Sequence, residues 1–209
     1  MRIAVIAANG RSGKAFVEAA LEAGHIVHAG SFTPGTLKPH PNLIEIKCDA
    51  TNEADVANLL LNQEAVASFI GHVKGSSPTV QTDATGVTVK VMQKLGISRL
   101  VSLTGTGVRF PGDKITLTDR FLNIGVSVVD PNRVSDGRMH VEAIKKSGLD
   151  WTVIRVLKLQ NVLPKPFSLQ LNGPTKPFVG REEVALAVLE VLEQASFIQQ
   201  APIISPVKK

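Results

Sequence analysis

The chain opens with Met1-Arg-Ile-Ala-Val-Ile-Ala-Ala-Asn-Gly-Arg-Ser-Gly-Lys-Ala15, the stretch that decides its fold. The apolar run Ile3 to Ile6 predicts a strand buried on both faces, and a helical pattern follows a turn of small residues without a linker. Gly10 and Gly13 stand at the second and third positions of a G-x-x-G-x-x-G spacing, in which Ala7 takes the first. We expect Ala7 to have a negative φ, because alanine disfavours the left-handed region.

Such a strand-loop-helix is typical of sites that bind the diphosphate of a dinucleotide. The backbone amides of Asn9 to Gly13 would point at the anion from a helix N-terminus, where the helix dipole also favours negative charge. Glycine-rich turns also join strands to helices where no ligand binds. The loop alone therefore leaves both interpretations open.

The composition is that of one soluble α/β domain: 209 residues, 44% of them hydrophobic and 20% charged. The net charge is +5, but the cations are spread along the chain, with no cluster longer than the pairs Lys145-Lys146 and Lys208-Lys209. Aromatic residues make up only 4%, so platforms for stacking bases are scarce and we expect no nucleic-acid partner. The single Cys48, the lack of a charged leader and the lack of a long apolar run predict a cytoplasmic protein without membrane contact.

Strand and helix patterns alternate along the chain, which predicts a single-domain Rossmann fold over residues 1–209, with a doubly wound, mostly parallel sheet. The predicted strands are Ile3–Ile6, Ile26–Gly30, Leu43–Ile46, Val66–Ile70, Leu100–Thr104 and Trp151–Val156. Helices are expected after the opening loop, after a Thr51 or Asn52 cap, and over Gln81–Leu95, Leu117–Ile124, Ser135–Lys146 and Arg181–Gln194. Residues 157–180, broken by prolines and a glycine, are expected to form an excursion on the substrate side.

Several segments resemble, in order, the NAD(P)-binding atypical short-chain dehydrogenases, the group that includes NmrA-like proteins and flavin reductases of the biliverdin reductase B type. The segments are Ala8–Gly13, Cys48–Thr51, Arg138–His140, Ser147–Arg155 and Phe178–Ala185. This resemblance covers essentially the whole chain and implies an NAD(P) cofactor. The residues it places at the cofactor, together with those at the predicted end of the second strand, are Asn9, Gly10, Arg11, Ser12, Gly13, Ser31, Phe32, Asp49, Ala50, Gly71, His72, Val73, Thr104, Gly105, Val156 and Leu157.

The catalytic chemistry is limited by a missing residue type, since the chain contains no tyrosine. The tyrosine-lysine pair with which ordinary short-chain dehydrogenases protonate a carbonyl is therefore absent. Hydride transfer to a flavin, a quinone or a similar planar acceptor asks less of the protein, because the cofactor carries the chemistry. The resemblance aligns Lys158 with the active-site histidine of the flavin reductases, which makes Lys158 the candidate catalytic residue.

Two functions stay open at this point: a reductase, and an NmrA-like redox sensor that binds the dinucleotide without turning it over. His72 is a candidate cofactor contact, whereas His140 is expected to pack inside its helix. No spacing of histidine or cysteine suggests a metal site. The sequence Ala29-Gly-Ser-Phe-Thr33 has no acid to hold a ribose 2′-hydroxyl, which favours NADP over NAD. The chain is expected to be a monomer or a homodimer.

Overall fold

The computed structural model describes residues 1–207, so the Lys208-Lys209 pair lies outside the described residues. The helices in this range are α1 Arg11–Glu22, α2 Glu53–Leu60, α3 Val80–Leu95, α4 Leu117–Val129, α5 Pro131–Lys145 and α6 Arg181–Glu193. The strands are β1 Arg2–Ile6, β2 Ile26–Ser31, β3 Leu43–Lys47, β4 Ala65–Ser68, β5 Arg99–Gly105, β6 Asp150–Val156, β7 Lys158–Gln160, β8 Phe167–Gln170, β9 Phe178–Gly180 and β10 Ile203–Pro206.

The main sheet has the strand order β3-β2-β1-β4-β5-β6-β10-β8. All of its pairs are parallel except β10 with β8, which is antiparallel. Strands β7 and β9 form a separate two-stranded parallel sheet. The predicted doubly wound Rossmann fold is confirmed, and its chain order reverses between β1 and β4, where such sheets leave a crevice for a ligand.

Strand β1 is buried on both faces, as its continuous apolar run predicts. Ile3 and Val5 belong to a core under α1 and α6, whereas Ala4 and Ile6 belong to a second core under α2 and α3. Alternate residues of a strand point to opposite faces, so a strand between two helical layers is typically apolar at consecutive positions.

Several elements differ from the sequence expectation. Helix α4 continues beyond its predicted end at Ile124 to Val129 and α5 begins at Pro131, so residues 117–145 are helical except for Asp130. Proline suits the first turn of a helix, and the Asp130 side chain accepts a hydrogen bond from the Arg133 amide, which starts α5 four residues before the predicted Ser135. Strand β10 was not predicted, because a four-residue strand that contains a proline has little pattern of its own.

The β6 arginine serves as a structural ion-pair residue. The Arg155 guanidinium is buried and bonds both carboxylate oxygens of Asp113, at 2.6 and 2.9 Å. It also donates to the carbonyls of Val108, Leu171 and Ala201. Arg155 therefore ties the end of β6 to the loop before α4 and to the segment before β10.

Candidate functional site

A cavity of about 810 Å³ opens where β1, β4, β5 and β6 end. Fourteen of the seventeen site residues expected from the sequence line it: Asn9, Gly10, Arg11, Ser12, Phe32, Asp49, Ala50, Gly71, His72, Val73, Thr104, Gly105, Val156 and Leu157. They are far apart along the chain but meet because the carboxyl ends of parallel strands share one edge of the sheet. Gly13, Ser31 and Lys158 are not in the cavity wall.

The loop after β1 adopts the turn that its glycine spacing predicts, with one correction. Ala7 has φ of 60°, so the expectation of a negative φ was wrong. The Gly10 amide donates a hydrogen bond to the Ala7 carbonyl at 3.1 Å, and this tight turn requires the left-handed conformation that glycine normally supplies. The chain therefore accepts backbone strain at Ala7 to keep the loop geometry.

Gly13 is not part of the cavity wall because it lies at the contact between α1 and the end of β1. A Cβ atom on Gly13 would overlap the Ala7 carbonyl oxygen and lie only 2.8 Å from that of Ala8. Helix α1 can therefore approach β1 this closely only with a glycine here, which is the packing role expected for the third position. Gly13 sets the position of the loop that faces the cavity.

The N-terminus of α1 is fit to receive an anion. Its N-cap residue Gly10 offers no side-chain cap, and no acidic residue lies in its first turn. By contrast, α2 has Asn52 as its cap and Glu53 and Asp55 in its first turn. The first amides of any helix lack carbonyl partners within it, and an uncapped end that faces a cavity leaves them free for a diphosphate.

Two arginines face the same end of the cavity. Arg11 is the first residue of α1 and Arg181 the first of α6, and both side chains line the wall. Burial and the positive charge of Arg11 lower the pKa of Arg181. Among the described residues no carboxylate pairs with either guanidinium, although Arg181 donates to the Asn161 side chain. An anion between the two arginines would relieve their mutual repulsion.

The residues that follow β2 and β3 form another wall of the cavity at its α1 end. Asn9 donates a hydrogen bond to the Thr33 hydroxyl at 3.0 Å, which ties the loop to the end of β2. Asp49 accepts hydrogen bonds from the amide and hydroxyl of Thr51, so its carboxylate is fixed at the cavity edge. Phe32 is 66% exposed and lines the wall, whereas Ser31 is buried in the strand and does not.

His72 forms a pair with a carboxylate that the sequence analysis did not identify. Its Nε2 donates a hydrogen bond to Asp136 at 2.9 Å. Asp136 is fully buried in α5 and also accepts from the amides of Gln81 and Thr82 at the start of α3. Burial opposes its charge, but the hydrogen bonds from Thr82 and Gln81 outweigh that effect and lower its pKa. Asp136 therefore caps α3 and also holds His72 in the wall.

Lys158 lies in β7 with its side chain exposed, and its ammonium sits 5.8 Å from the ring centre of Phe178. Its neighbours Leu157 and Leu159 line the cavity instead. Alternation along a strand explains this, since adjacent side chains point to opposite faces. The alignment that suggested Lys158 matches its position in the chain, but an alignment does not give the direction of a side chain. It therefore could not show that Lys158 points away from the cavity wall. The catalytic role of Lys158 is an expectation that this geometry does not support.

Sequence reasoning missed most of the wall away from α1. That part of the cavity is lined by Leu103, Gly107, Val108, Asn123, Val126, Arg133, Val134 and Leu159. Most of these residues follow β5 or lie in α4 and at the start of α5, where the sequence analysis named no site residue. If the full length of α4 had been predicted, its helical spacing would have placed Asn123 and Val126 on the same face. The wall here is mainly apolar, with Arg133 at its border.

His140 is packed, as expected, and does not reach the cavity. It is buried, and its Nε2 lies 2.9 Å from the Ser102 hydroxyl. Within residues 1–207, no three histidine, cysteine or acidic residues are grouped as metal ligands would be. No helix in the same range is long and apolar enough to span a membrane.

Comparisons with known proteins agree with this arrangement. The chain resembles a short-chain dehydrogenase/reductase from Veillonella parvula solved in complex with NADP, with 18% identity over 98% of this chain and 94% of that one, and a TM-score of 0.81. It also resembles ChuY, an anaerobilin reductase from Escherichia coli O157:H7, with 18% identity over the full length of both chains and a TM-score of 0.78. A protein from Burkholderia pseudomallei described as a candidate exported protein is 24% identical over 98% of both chains, with a TM-score of 0.79.

At these identities the solved structures establish the fold alone. No curated protein matches the sequence at a significant level. The family model described as NAD(P)H-binding matches residues 7–195, which include the loop after β1, every strand end at the cavity and helix α6. This confirms the expected NAD(P)-binding character of the family, and the chain belongs to the NAD(P)H-binding family.

Proposed function

We propose that the protein is a reductase that uses NADPH in preference to NADH and passes a hydride to a flavin, a quinone or a similar planar acceptor. One observation carries the proposal: a single cavity runs from the uncapped N-terminus of α1 to an apolar wall after β5 and β6. The first end suits the phosphates of a dinucleotide, and the second suits a flat, apolar ring. ChuY, a reductase by its name, gives the enzyme interpretation some support.

The cofactor supplies the hydride when it is bound, and the protein orients the two rings. The first amides of α1 would hold the diphosphate, and Arg11 and Arg181 would neutralise its charge. Water would be excluded from the acceptor side by the apolar side chains of Leu103, Val108, Val126, Val134, Leu157 and Leu159.

The proton that accompanies the hydride can come from solvent or from His72. His72 is a side chain of the cavity wall that can carry a proton. Its Nε2–H is bound to the Asp136 carboxylate, so Nδ1 is the nitrogen that can carry a proton to an acceptor. If His72 is the donor, His72→Gln lowers kcat. If solvent is the source, kcat stays unchanged.

The proposed preference for NADPH over NADH is based on the charged groups near the end of β2. The end of β2 presents Ser31, Phe32 and Thr33, with no carboxylate to repel a 2′-phosphate. Arg11, the first residue of α1, lines the same cavity as Phe32 and has no carboxylate partner among the described ion pairs. If Arg11 binds the 2′-phosphate, Arg11→Gln weakens NADPH binding and leaves NADH binding nearly unchanged. Equal losses for both would assign Arg11 to the diphosphate only.

Cofactor binding is tested first, by fluorescence titration of the purified protein with NADPH and NADH. Arg181→Gln should weaken binding of either dinucleotide about tenfold or more, since a hydrogen bond to a charged group contributes about 1.5–3 kcal/mol. Arg138→Gln is the matched control, because Arg138 is an exposed arginine of α5 outside the cavity wall. Loss of affinity in both variants would point to general surface charge and contradict the proposed arginine pair.

Turnover is tested with a panel of flavins and quinones by following the absorbance of the reduced nicotinamide. The second candidate function, a sensor that binds the dinucleotide without turnover, is favoured by the outward position of Lys158 and the absence of tyrosine. Tight NADPH binding with no oxidation by any acceptor would select the sensor. Lys158→Ala should leave turnover unchanged, and a large loss would restore Lys158 to the mechanism.

The single Cys48 is buried, which agrees with a reducing compartment, and we propose that the protein acts in the cytoplasm. The likeness to a candidate exported protein makes cell fractionation the deciding experiment.

A further inference from the structure

Helix α4 exposes its apolar side chains. Leu117, Phe121, Ile124 and Val128 are 75%, 72%, 53% and 76% exposed. A helix on a protein surface normally turns such residues inward, because burial of apolar area is the main source of its stability. In α4 the only fully buried side chain is Asp119.

Polar contacts hold α4 in this inverted orientation. The Asp119 carboxylate accepts hydrogen bonds from Asn123 at 2.7 Å and from Thr175 at 2.6 Å, and it pairs with Arg109. Asn123 also donates to the Thr106 hydroxyl at 3.0 Å. These bonds fix which face of α4 points inward, so the apolar face cannot turn toward the core without breaking a buried ion pair.

The spacing of the exposed side chains indicates what covers them. Leu117, Phe121, Ile124 and Val128 follow steps of four, three and four residues, which is the spacing of the a and d positions of a coiled coil. At 3.6 residues per turn they lie within roughly 60° of one another around the helix. Such a narrow stripe fits one partner helix. A helix that lies on a membrane needs a broader apolar face and several lysines or arginines on its polar face, whereas the only basic residue of α4 is Arg120.

We propose that α4 packs antiparallel against α4 of a second copy of this chain, about a two-fold axis. The stripe is complementary to itself in this arrangement, with Leu117 opposite the partner's Val128 and Phe121 opposite the partner's Ile124. Gly125 borders the stripe with open space around it, so the two backbones can approach closely. Arg120 then lies opposite the partner's Ser127, which avoids a contact between like charges.

The exposed apolar area on and beside α4 agrees with a dimer interface. The stripe and the flanking residues Ile115 and Val129, which lie outside the roughly 60° sector and are 50% and 86% exposed, together offer roughly 700 Å² of apolar surface per copy. Stable interfaces bury about 800 Å² per partner, and monomers normally leave only a few hundred Å² of contiguous apolar surface in water.

The dimer would also affect the cavity. Asn123 and Val126 on the opposite face of α4 line the acceptor side. A partner helix on the outer face would therefore fix the position of this wall. This consequence rests on the proposed function, but the interface itself does not.

Sedimentation velocity at micromolar concentration tests the interface without any ligand. We expect twice the 22.3 kDa mass of the chain for the wild type and a monomer for Phe121→Glu. Leu163→Glu is the matched control, because Leu163 is 82% exposed outside α4 and should leave the dimer intact. Circular dichroism and thermal unfolding establish that each variant is folded. A monomeric wild type, or a dimer that persists in Phe121→Glu, would overturn the proposal.

A charge exchange tests the antiparallel arrangement. Leu117→Glu and Val128→Lys should each give monomers, and the double variant should recover the dimer, since each glutamate then faces a lysine of the partner. Failure of the double variant to recover would contradict the antiparallel pairing. A monomeric wild type that co-sediments with phosphatidylserine vesicles would assign the stripe to a lipid surface and also overturn the dimer.

Discussion

Replacement of Gly13 by alanine adds one methyl group at the contact between α1 and β1. That methyl group would overlap the Ala7 carbonyl oxygen and lie 2.8 Å from the Ala8 carbonyl oxygen, and both are backbone atoms that cannot rotate away. Overpacking of this kind costs about 1–3 kcal/mol. Alanine inside a helix is otherwise more favourable than glycine by roughly 0.5–1 kcal/mol, so the steric cost must outweigh an intrinsic gain.

We expect Gly13→Ala to lower the free energy of unfolding by about 1–2 kcal/mol in urea titrations. It should also weaken NADPH binding, because the loop from Ala7 to Gly10 must shift. The matched control is Gly86→Ala in α3, where the added methyl group meets no atom within 4 Å. This control should gain roughly 0.5–1 kcal/mol and bind NADPH normally. A Gly13→Ala protein as stable as the wild type, with unchanged affinity, would refute the close-packing argument.

Three further outcomes follow from single contacts. Ala7→Gly should raise the unfolding free energy by about 0.5–1 kcal/mol, since glycine tolerates a φ of 60°, and a loss would contradict strain at this position. Asp113→Asn should cost about 3–5 kcal/mol in the same titration because it leaves the buried Arg155 charge uncompensated, whereas Glu142→Gln at an exposed pair should change the stability little. Burial lowers the pKa of His140 to about 4, so the native state favours the neutral ring. Stability should therefore fall by up to about 3 kcal/mol as the pH drops from 6.5 through 4, and His140→Gln should flatten that slope in unfolding measurements.

The fold was largely readable from local patterns. The buried run Ile3 to Ile6, the glycine spacing after it and the alternation of strands and helices were enough to predict six parallel strands and their layers. Strand β10 and the β7–β9 pair could not be predicted, because strands of three or four residues are stabilised by neighbours that are distant in sequence.

The end of the cavity at α1 was also predictable, since the parallel order of the strands brings their carboxyl ends together. The wall formed by α4 and α5 was not, because it depends on which face α4 turns inward. Polar contacts around Asp119 decide that orientation, against the hydrophobic pattern of the helix. Arg181 was predicted as the start of a helix and as part of a family segment but not as a site residue, and its place beside Arg11 follows from the packing of α6 on α1.

By itself the sequence determined the fold class, the glycine spacing of the loop that lines the cavity, and the exclusion of tyrosine-dependent chemistry, because each of these depends on local spacing or on residue type. Only the tertiary structure decided that Ala7 takes a strained conformation, that Lys158 points away from the cavity and that His72 is held by Asp136. Those outcomes depend on the direction of side chains and on contacts between distant segments, which local sequence patterns do not encode.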